Sequence, residues 1–333
     1  MERIGGETQV LYADLRERLE VTEAMRNIAS LPGEFISKVT KGLVYHYFQT
    51  TLPGGRTQIY IGPDNDQTRQ LIEAREAGKE HALADEKMLQ RLAAQIMAGG
   101  VMPVLSEMSR IITRLADCGV FRVGGVLVGT IAYQILAPHL GVIWESASRI
   151  TQDVDLAGDT RVAVAVPDLT ADIPAALESL QMGFFPVPRL SHREASTSYA
   201  VRGKALWIDL LTPSRKGGTA PVFIHRLNAA AKPLKYLDYL IEDPISAVMI
   251  AGTPCVVKVP QPARYALHKL IISQERDATS AAKDLLQAKT MIGLLKEDRP
   301  GDLELAREAL GERGGSSWMK KMEAACKQCK INL

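Results

Sequence analysis

The sequence predicts an α+β protein built on a mixed sheet with helices on one face, with a helix, a β-meander and a long helical arm ahead of it and a helical region behind it. Three observations predict this. Between residues 100 and 260, stretches of helical period alternate with short apolar runs, an order that gives a mixed sheet covered by helices. Shortly before residue 64 the period is two, and after Pro262 every apolar pattern is helical.

Taken in order, residues 7–29 form a polar-faced helix with Val10, Leu11, Leu15, Leu19 and Met25 at near-helical spacing, ended by Leu31-Pro32-Gly33. Residues 41–50 and 57–61 read as strands joined through Pro53-Gly54-Gly55, a hairpin or three-stranded meander. Tyr45, Tyr47 and Gln49 share one face there, and His46, Phe48 and Thr50 the other. With Lys38, Lys41 and Arg56 nearby, the meander reads either as an aromatic platform for bases or a peptide or as an ordinary packed sheet. Seven basic and seven acidic side chains in residues 1–62 cancel, which favours the packed sheet.

Asp64-Asn65-Asp66 caps a charged helix that runs to about Met97, with Leu71, Leu83, Leu89, Leu92 and Ile96 as a narrow apolar seam. Its length of about 50 Å suits an arm between domains or a homodimer surface over residues 64–97. Gly99-Gly100 marks a boundary. Beyond it come a helix over 104–117, a short strand over 119–123, the turn Gly124-Gly125 and a helix over 126–136 stopped by Pro138. Strands over 153–156 and 161–166, a helix over 172–181 and a hairpin of 197–201 with 205–211 follow. A second strand pair, 248–250 with 255–259, precedes helices broken at Arg276-Asp277, Arg299-Pro300-Gly301 and Gly314-Gly315. The expected units are 1–63, 64–99, 100–260 and 261–333.

Composition excludes more than it assigns. A net charge of +2 gives no overall polyanion-binding signature, so any nucleic-acid contact is local. The most apolar stretch, residues 123–137, is too short to span a bilayer, and the first residues lack the apolar segment of a signal peptide; a cytoplasmic protein with no membrane partner is expected. Cys326-Lys-Gln-Cys329 has zinc-ligand spacing without a second ligand pair, and reads as part of a reduced helix.

The chemistry-bearing residues are acidic. Asp153 and Asp155 lie two apart on a strand, so both carboxylates point to one face roughly 6.5 Å apart, and Val154 faces the opposite core. Asp209 sits inside the apolar run Trp207-Ile208-Asp209-Leu210-Leu211, where a carboxylate is costly unless a cation or donor compensates it. A shared pair of Mg²⁺ or Mn²⁺ ions would supply that compensation. Gly124-Gly125 at a strand-to-helix turn would let a phosphate approach backbone N–H groups, or would simply be a tight packed turn. Arg149 is either a phosphate contact or a solvated loop cation. Arg264 and His268 share a helix face, and Lys269, flanked by Leu267, Leu270 and Ile271, aims its ammonium into a crevice. Lys269 and Lys283 also fit as snorkelling lysines of amphipathic helices.

The segment from Phe121 to Tyr133 with its Gly-Gly pair, Thr151-Gln-Asp-Val-Asp-Leu-Ala157, Asp209-Leu-Leu-Thr-Pro213 and Tyr265-Ala-Leu-His-Lys-Leu270 together resemble the DNA polymerase β-like nucleotidyltransferase superfamily, and more narrowly a bacterial family of that fold. The resemblance covers about residues 100 to 295. It implies transfer of an NMP from an NTP, with Asp153, Asp155 and Asp209 as catalytic and metal-binding residues and Gly124, Gly125 and Lys269 on the nucleotide. A more distant likeness to abortive-infection nucleotidyltransferase toxins implies that Lys283 and Asp284 serve the nucleotide site too, and that the protein acts in a toxin or phage-defence module. The acceptor stays open between an RNA 3′ end and a protein side chain. A catalytically inactive nucleotide- or nucleic-acid-binding adaptor is the alternative, and a homo-oligomeric structural protein a third.

Overall fold

Strand alternation places the acidic residues on the exposed side of a central sheet. The computed structural model describes residues 1–24, 34–40, 42–52, 55–144, 151–160, 170–189, 194–215 and 217–333. The expected strand over 161–166, Arg149 and the stop at Leu31-Pro32-Gly33 lie outside them.

The chain opens with β1 (Glu2–Arg3) and α1 (Gly6–Ala24), then the antiparallel meander β2 (Glu34–Thr40), β3 (Leu43–Leu52) and β4 (Gly55–Pro63). The meander is three-stranded, with a bulge between His46 and Tyr47. Tyr47 and Tyr45 both meet Tyr60, at 5.5 and 6.2 Å between ring centres, and the Lys38 ammonium lies 5.0 Å from the Tyr47 ring. α2 (Asp66–Ala98) is one unbroken helix, started by the Asn65 side chain accepting from the Thr68 N–H at 2.8 Å. The last three turns of its seam are internal: Leu89, Ala93 and Ile96 pack with Leu15 and Leu19 of α1 and with Val248 and Ile250.

α3 (Ser106–Asp117), β5 (Val126–Val128), α4 (Gly129–His139), β6 (Val142–Ile143) and β7 (Asp153–Ala157) come next. α5 (Ile173–Ser179), β8 (Phe184–Pro186), β9 (Ser198–Val201), β10 (Trp207–Pro213) and β11 (Val222–Ile224) lead through a 3-10 turn to β12 (Ala229–Leu234) and α6 (Leu237–Leu240). The hairpin β13 (Ile245–Met249) and β14 (Cys255–Val259) precedes α7 (Pro262–Ser273), α8 (Ala278–Asp298) and α9 (Pro300–Cys329), which is kinked at Gly315. The central sheet runs β11-β12-β10-β7-β5, with β9 also on β10 and β8 beyond it. β10 is parallel to β7 and β12, whereas β5 and β9 pair antiparallel, so the sheet is mixed as expected.

One expectation fails at the glycines. Residues 118–124 are turns rather than a strand; the strand is β5, and the helix opens at Gly129, not at Gly124-Gly125. Gly125 closes a tight turn, donating its N–H to the Val120 carbonyl at 2.9 Å, and a Cβ there would come within 2.6 Å of the Val120 side chain. The physical reason is burial: Val126, Leu127 and Val128 are buried and run into a helix buried on nearly every side, so the apolar run has no period to separate strand from helix.

Val154, Leu156, Ile208 and Leu210 are at most 2% exposed and form the core face of β7 and β10. Their neighbours Asp153, Asp155, Trp207 and Asp209 occupy the opposite face. The expected boundary at residue 99 cuts through a shared core: β1 pairs with β6, and the Tyr12 hydroxyl accepts the Val248 N–H at 3.1 Å. A cut there would uncover Val248 and Ile250, each worth roughly 1.5–3 kcal/mol of burial. Among the described residues no helix is long and apolar enough to cross a membrane, and the four cysteines are free.

Candidate active site

Register brings the acidic residues together. Asp209 stands directly opposite Asp155 on neighbouring parallel strands, and Asp153 opposite Trp207. Burial and the negative charge of Asp209, with a lesser push from Asp153, lift the Asp155 carboxyl to about 6, against the pull of Lys269 and Arg276. Asp153 is raised as well, by burial and by Asp209, with Lys283 opposing. The carboxylates therefore repel one another across the strand pair.

Two neighbours fix how they lie. The Ser198 hydroxyl, directly across β9 from Asp209, donates to its Oδ1 at 2.5 Å. Asp155 leans on Gly129, where an added Cβ would sit 2.0 Å from Oδ2 and where φ is +68°. Only glycine fits both the left-handed backbone and that close approach. Gly129 therefore takes the place expected of Gly124-Gly125: it ends β5, opens α4 and lies against the acidic row. Thr130 follows it.

α7 and α8 supply the facing wall. The Tyr265 hydroxyl donates to the Gly129 carbonyl at 2.9 Å and lies 3.0 Å from Gln287 Oε1, which ties α7 to the glycine turn. One turn on, Lys269 projects from the same helix face. Its ammonium bonds Asp284 Oδ1 at 2.6 Å, while Arg276 approaches Asp284 Oδ2 at 3.2 Å. Asp284 is 1% exposed, so α8 holds it behind Lys269 rather than in the open. Burial lowers Lys269, with Asp284 acting the other way. Lys283 is half-buried and lowered by burial, with Asp284, Asp153 and Asp155 opposing.

Between these walls lies a cleft of about 630 Å³ reached by Gly129, Asp155, Asp209, Lys269, Arg276 and Lys232. Of the sequence-selected residues, Asp155, Asp209 and Lys269 line it, Asp153 and Lys283 approach its acidic edge electrostatically, and Gly124 and Gly125 are not part of it. His268 lines it as a neutral ring, burial having lowered it to about 3. Arg264 is turned to Glu242 and the Tyr239 carbonyl, at 2.6 and 3.2 Å. Sequence reasoning missed Gly129, Ser198, Arg276, Lys232 and Tyr236. Only Gly129 left a local signal, a glycine followed by the hydroxyl residue Thr130 after Val126-Leu-Val128. Tyr236 is a non-glycine residue at φ 64°, held by Glu275 at 2.5 Å and Lys321 at 2.7 Å. A second hollow, of about 250 Å³ beside Pro138 and Trp144, is lined among the described residues by apolar side chains with Gln134 and Thr151.

The matching family model is that of a nucleotidyltransferase, over residues 106–311, and it contains every one of these site residues. The chain belongs to this nucleotidyltransferase family. No curated protein matches it significantly. The donor chemistry fits a hard divalent ion: an all-carboxylate set that repels itself and has no His or Cys in it. As the side chains stand, no three His, Cys, Asp or Glu among the described residues converge as a closed metal site would, with Asp209 held by Ser198.

Proposed function

We propose that the protein transfers an NMP from an NTP to a hydroxyl acceptor with the help of Mg²⁺ or Mn²⁺. The observation that supports this most is the in-register pair Asp155 and Asp209, backed by Asp153, beside a cleft whose other wall carries Lys269 and Arg276. Carboxylates held on one side and cations on the other suit a metal–triphosphate, which brings both signs of charge. Asp153, Asp155 and Asp209 would hold the ions. When bound, such ions neutralise developing charge and lower the pKa of the acceptor hydroxyl.

The acceptor oxygen forms a bond to the α-phosphorus, the α–β bridging P–O bond breaks, and pyrophosphate leaves. Asp209 takes the hydroxyl proton. Gly129 and the first turn of α4 offer N–H groups to the phosphates. Lys269 and Arg276 share Asp284, so one of them is able to hold it while the other faces phosphate. Lys283 steadies Asp153 and Asp155.

The test is incubation of the full chain with each of four α-labelled NTPs, Mg²⁺ or Mn²⁺, and total RNA or cell extract. Labelled polymer, lost with Asp155→Asn, supports transfer. Absence of label with every NTP and either metal, while NTP still binds, leaves the inactive nucleotide-binding adaptor instead. A toxin or phage-defence role is the narrower reading, resting on Lys269 and Lys283-Asp284; growth arrest on expression of the wild type but not of Asp155→Asn tests it. Self-association through residues 64–97 would have to use the turns before Leu89, because the later ones pack within the chain.

A further inference from the structure

Two rows of side chains cross the exposed face of the sheet. Ser198, Asp209, Asp155 and Val128 make one, strand by strand from β9 to β5. Phe185, Ala200, Trp207 and Asp153 make the next, from β8 to β7. The first row borders the cleft. None of the second row lines that cleft, and among the described residues its tryptophan is 40% exposed even though Ile208, its neighbour on the core face, is fully buried. Ala200 between the two aromatic residues is 4% exposed, covered without bulk of its own. At the far end the Arg202 guanidinium lies 5.4 Å from the Phe185 ring centre, and Arg202 has no carboxylate partner among the described residues.

The side on which this shelf lies follows from the reaction. In phosphoryl transfer the attacking and leaving oxygens are in line, so acceptor and pyrophosphate occupy opposite sides of the α-phosphorus, which is held over the carboxylate row. Lys269, Arg276 and Lys232 are in the cleft, and a triphosphate tail belongs with them. The acceptor then approaches past Asp153 and Trp207. A protein side chain would need no flat apolar surface there. A nucleobase would, since every base has a face to stack, and an arginine above the second ring suits the phosphate that follows.

Resting on the transfer reading above, we propose that Trp207, Phe185 and Arg202 form a shelf for the unpaired 3′-terminal bases of a nucleic-acid strand, so that the acceptor hydroxyl is the 3′ end of that strand. Trp207 stacks the last base and sets its ribose beside Asp153; Phe185 and Arg202 take the one before it.

The experiment titrates the full chain, with metal and no NTP, against a short single-stranded RNA and its DNA counterpart, each with a free 3′ hydroxyl and a fluorescent 5′ label. Trp207→Ala and Trp207→Phe are compared with the wild type, and thermal melts check that they fold. Anisotropy should show affinity for one or both strands falling about tenfold in Trp207→Ala and less in Trp207→Phe. Intrinsic tryptophan fluorescence should be quenched by the strand only where Trp207 is present, as Trp144 is 1% exposed and Trp318 packs against Tyr236. Equal strand affinity of Trp207→Ala and wild type overturns the shelf, as does a transfer assay in which protein alone is labelled. Strand binding that depends on Trp207 without transfer to any acceptor sinks the catalytic reading and leaves the shelf standing.

Discussion

On β7 and β10 three carboxylates stand side by side and two of them push their protons' affinity upward, whereas on α8 a carboxylate of the same kind, Asp284, holds Lys269 at 2.6 Å and Arg276 at 3.2 Å. Both groups border one cleft. The helix group has opposite charges in contact and almost no water around Asp284, whose Oδ1 is bonded by Lys269 while its Oδ2 has Arg276 near it but no hydrogen bond among the described residues. The strand group has like charges as its nearest neighbours and a serine hydroxyl on one of them. Charge that is balanced within the chain stabilises the fold, and charge left unbalanced in a concave site is a place kept for a ligand.

Opposite responses to mutation would make that contrast concrete. Asp155→Asn should lower transfer by on the order of a thousandfold, because it removes one of the oxygens proposed to hold a metal ion at the centre of the acidic row. NTP transfer measured with the acceptor that labels the wild type decides this, and near-normal rates would dissolve the contrast. Lys269→Ala should act on the fold instead. It leaves Asp284 buried with the half-exposed Arg276 beside it and Lys283 acting on it electrostatically, a loss of about 3 kcal/mol, the low end for a broken buried pair. Denaturant unfolding measures it; Lys269→Ala as stable as the wild type, with NTP affinity down tenfold, would mean that the lysine is free for phosphate and Arg276 alone holds Asp284.

The same Asp155→Asn should make the metal-free protein more stable near neutral pH. The folded carboxyl is raised from 3.8 to about 6, so between those values the folded state binds more protons than the unfolded one. Stability from this group is therefore present below pH 4, falls as pH rises to 6, and stays low above it. Asparagine carries no such penalty, and at pH 7 it recovers at most on the order of 3 kcal/mol. Melting curves from pH 4 to 8 in chelator should converge at the acid end and separate at neutrality. Parallel curves would show that neither burial nor Asp209 raises the Asp155 carboxyl in the folded chain.

These contrasts were partly visible in the residues alone. Asp-Val-Asp in an apolar strand and Asp209 in another are polar exceptions to a period of two, and period-two patterns survive folding because the face of each residue is fixed locally. Lys269 was readable for the same reason at helical period, but its partner was not: that Asp284 lies against it depends on α7 and α8 packing together. Ser198 reached Asp209 only through strand register, and Arg276 only through the turn after α7. The glycine turn was misplaced because Val126, Leu127 and Val128 run without polar interruption into α4, so burial erased the period that separates the two elements. That a helix starts near residue 7 was legible, its docking on β13 and β14 was not, since Val248 and Ile250 show only that something must cover them.

The smallest expected effect probes the one place where the two groups come closest to behaving alike. Ser198 gives Asp209 a hydrogen bond at 2.5 Å, a neutral stand-in for the cation that Lys269 provides to Asp284. A hydroxyl bonded to a carboxylate is worth about 1.5–3 kcal/mol when buried and about 1 kcal/mol at a half-buried pair such as this one. Because the hydroxyl occupies Asp209 Oδ1, it is expected to compete with an ion drawn to that carboxylate. Ser198→Ala should then cost the metal-free protein about 1 kcal/mol and tighten Mn²⁺ binding about fivefold, the same free energy read from the other side of the linkage. Electron paramagnetic resonance of free Mn²⁺ and unfolding in chelator measure the two halves independently. Weaker Mn²⁺ binding in the variant would mean that Ser198 aims Asp209 at the ion and keeps its bond in the loaded state, and the serine would then belong to the completed kind of site rather than to the one kept open.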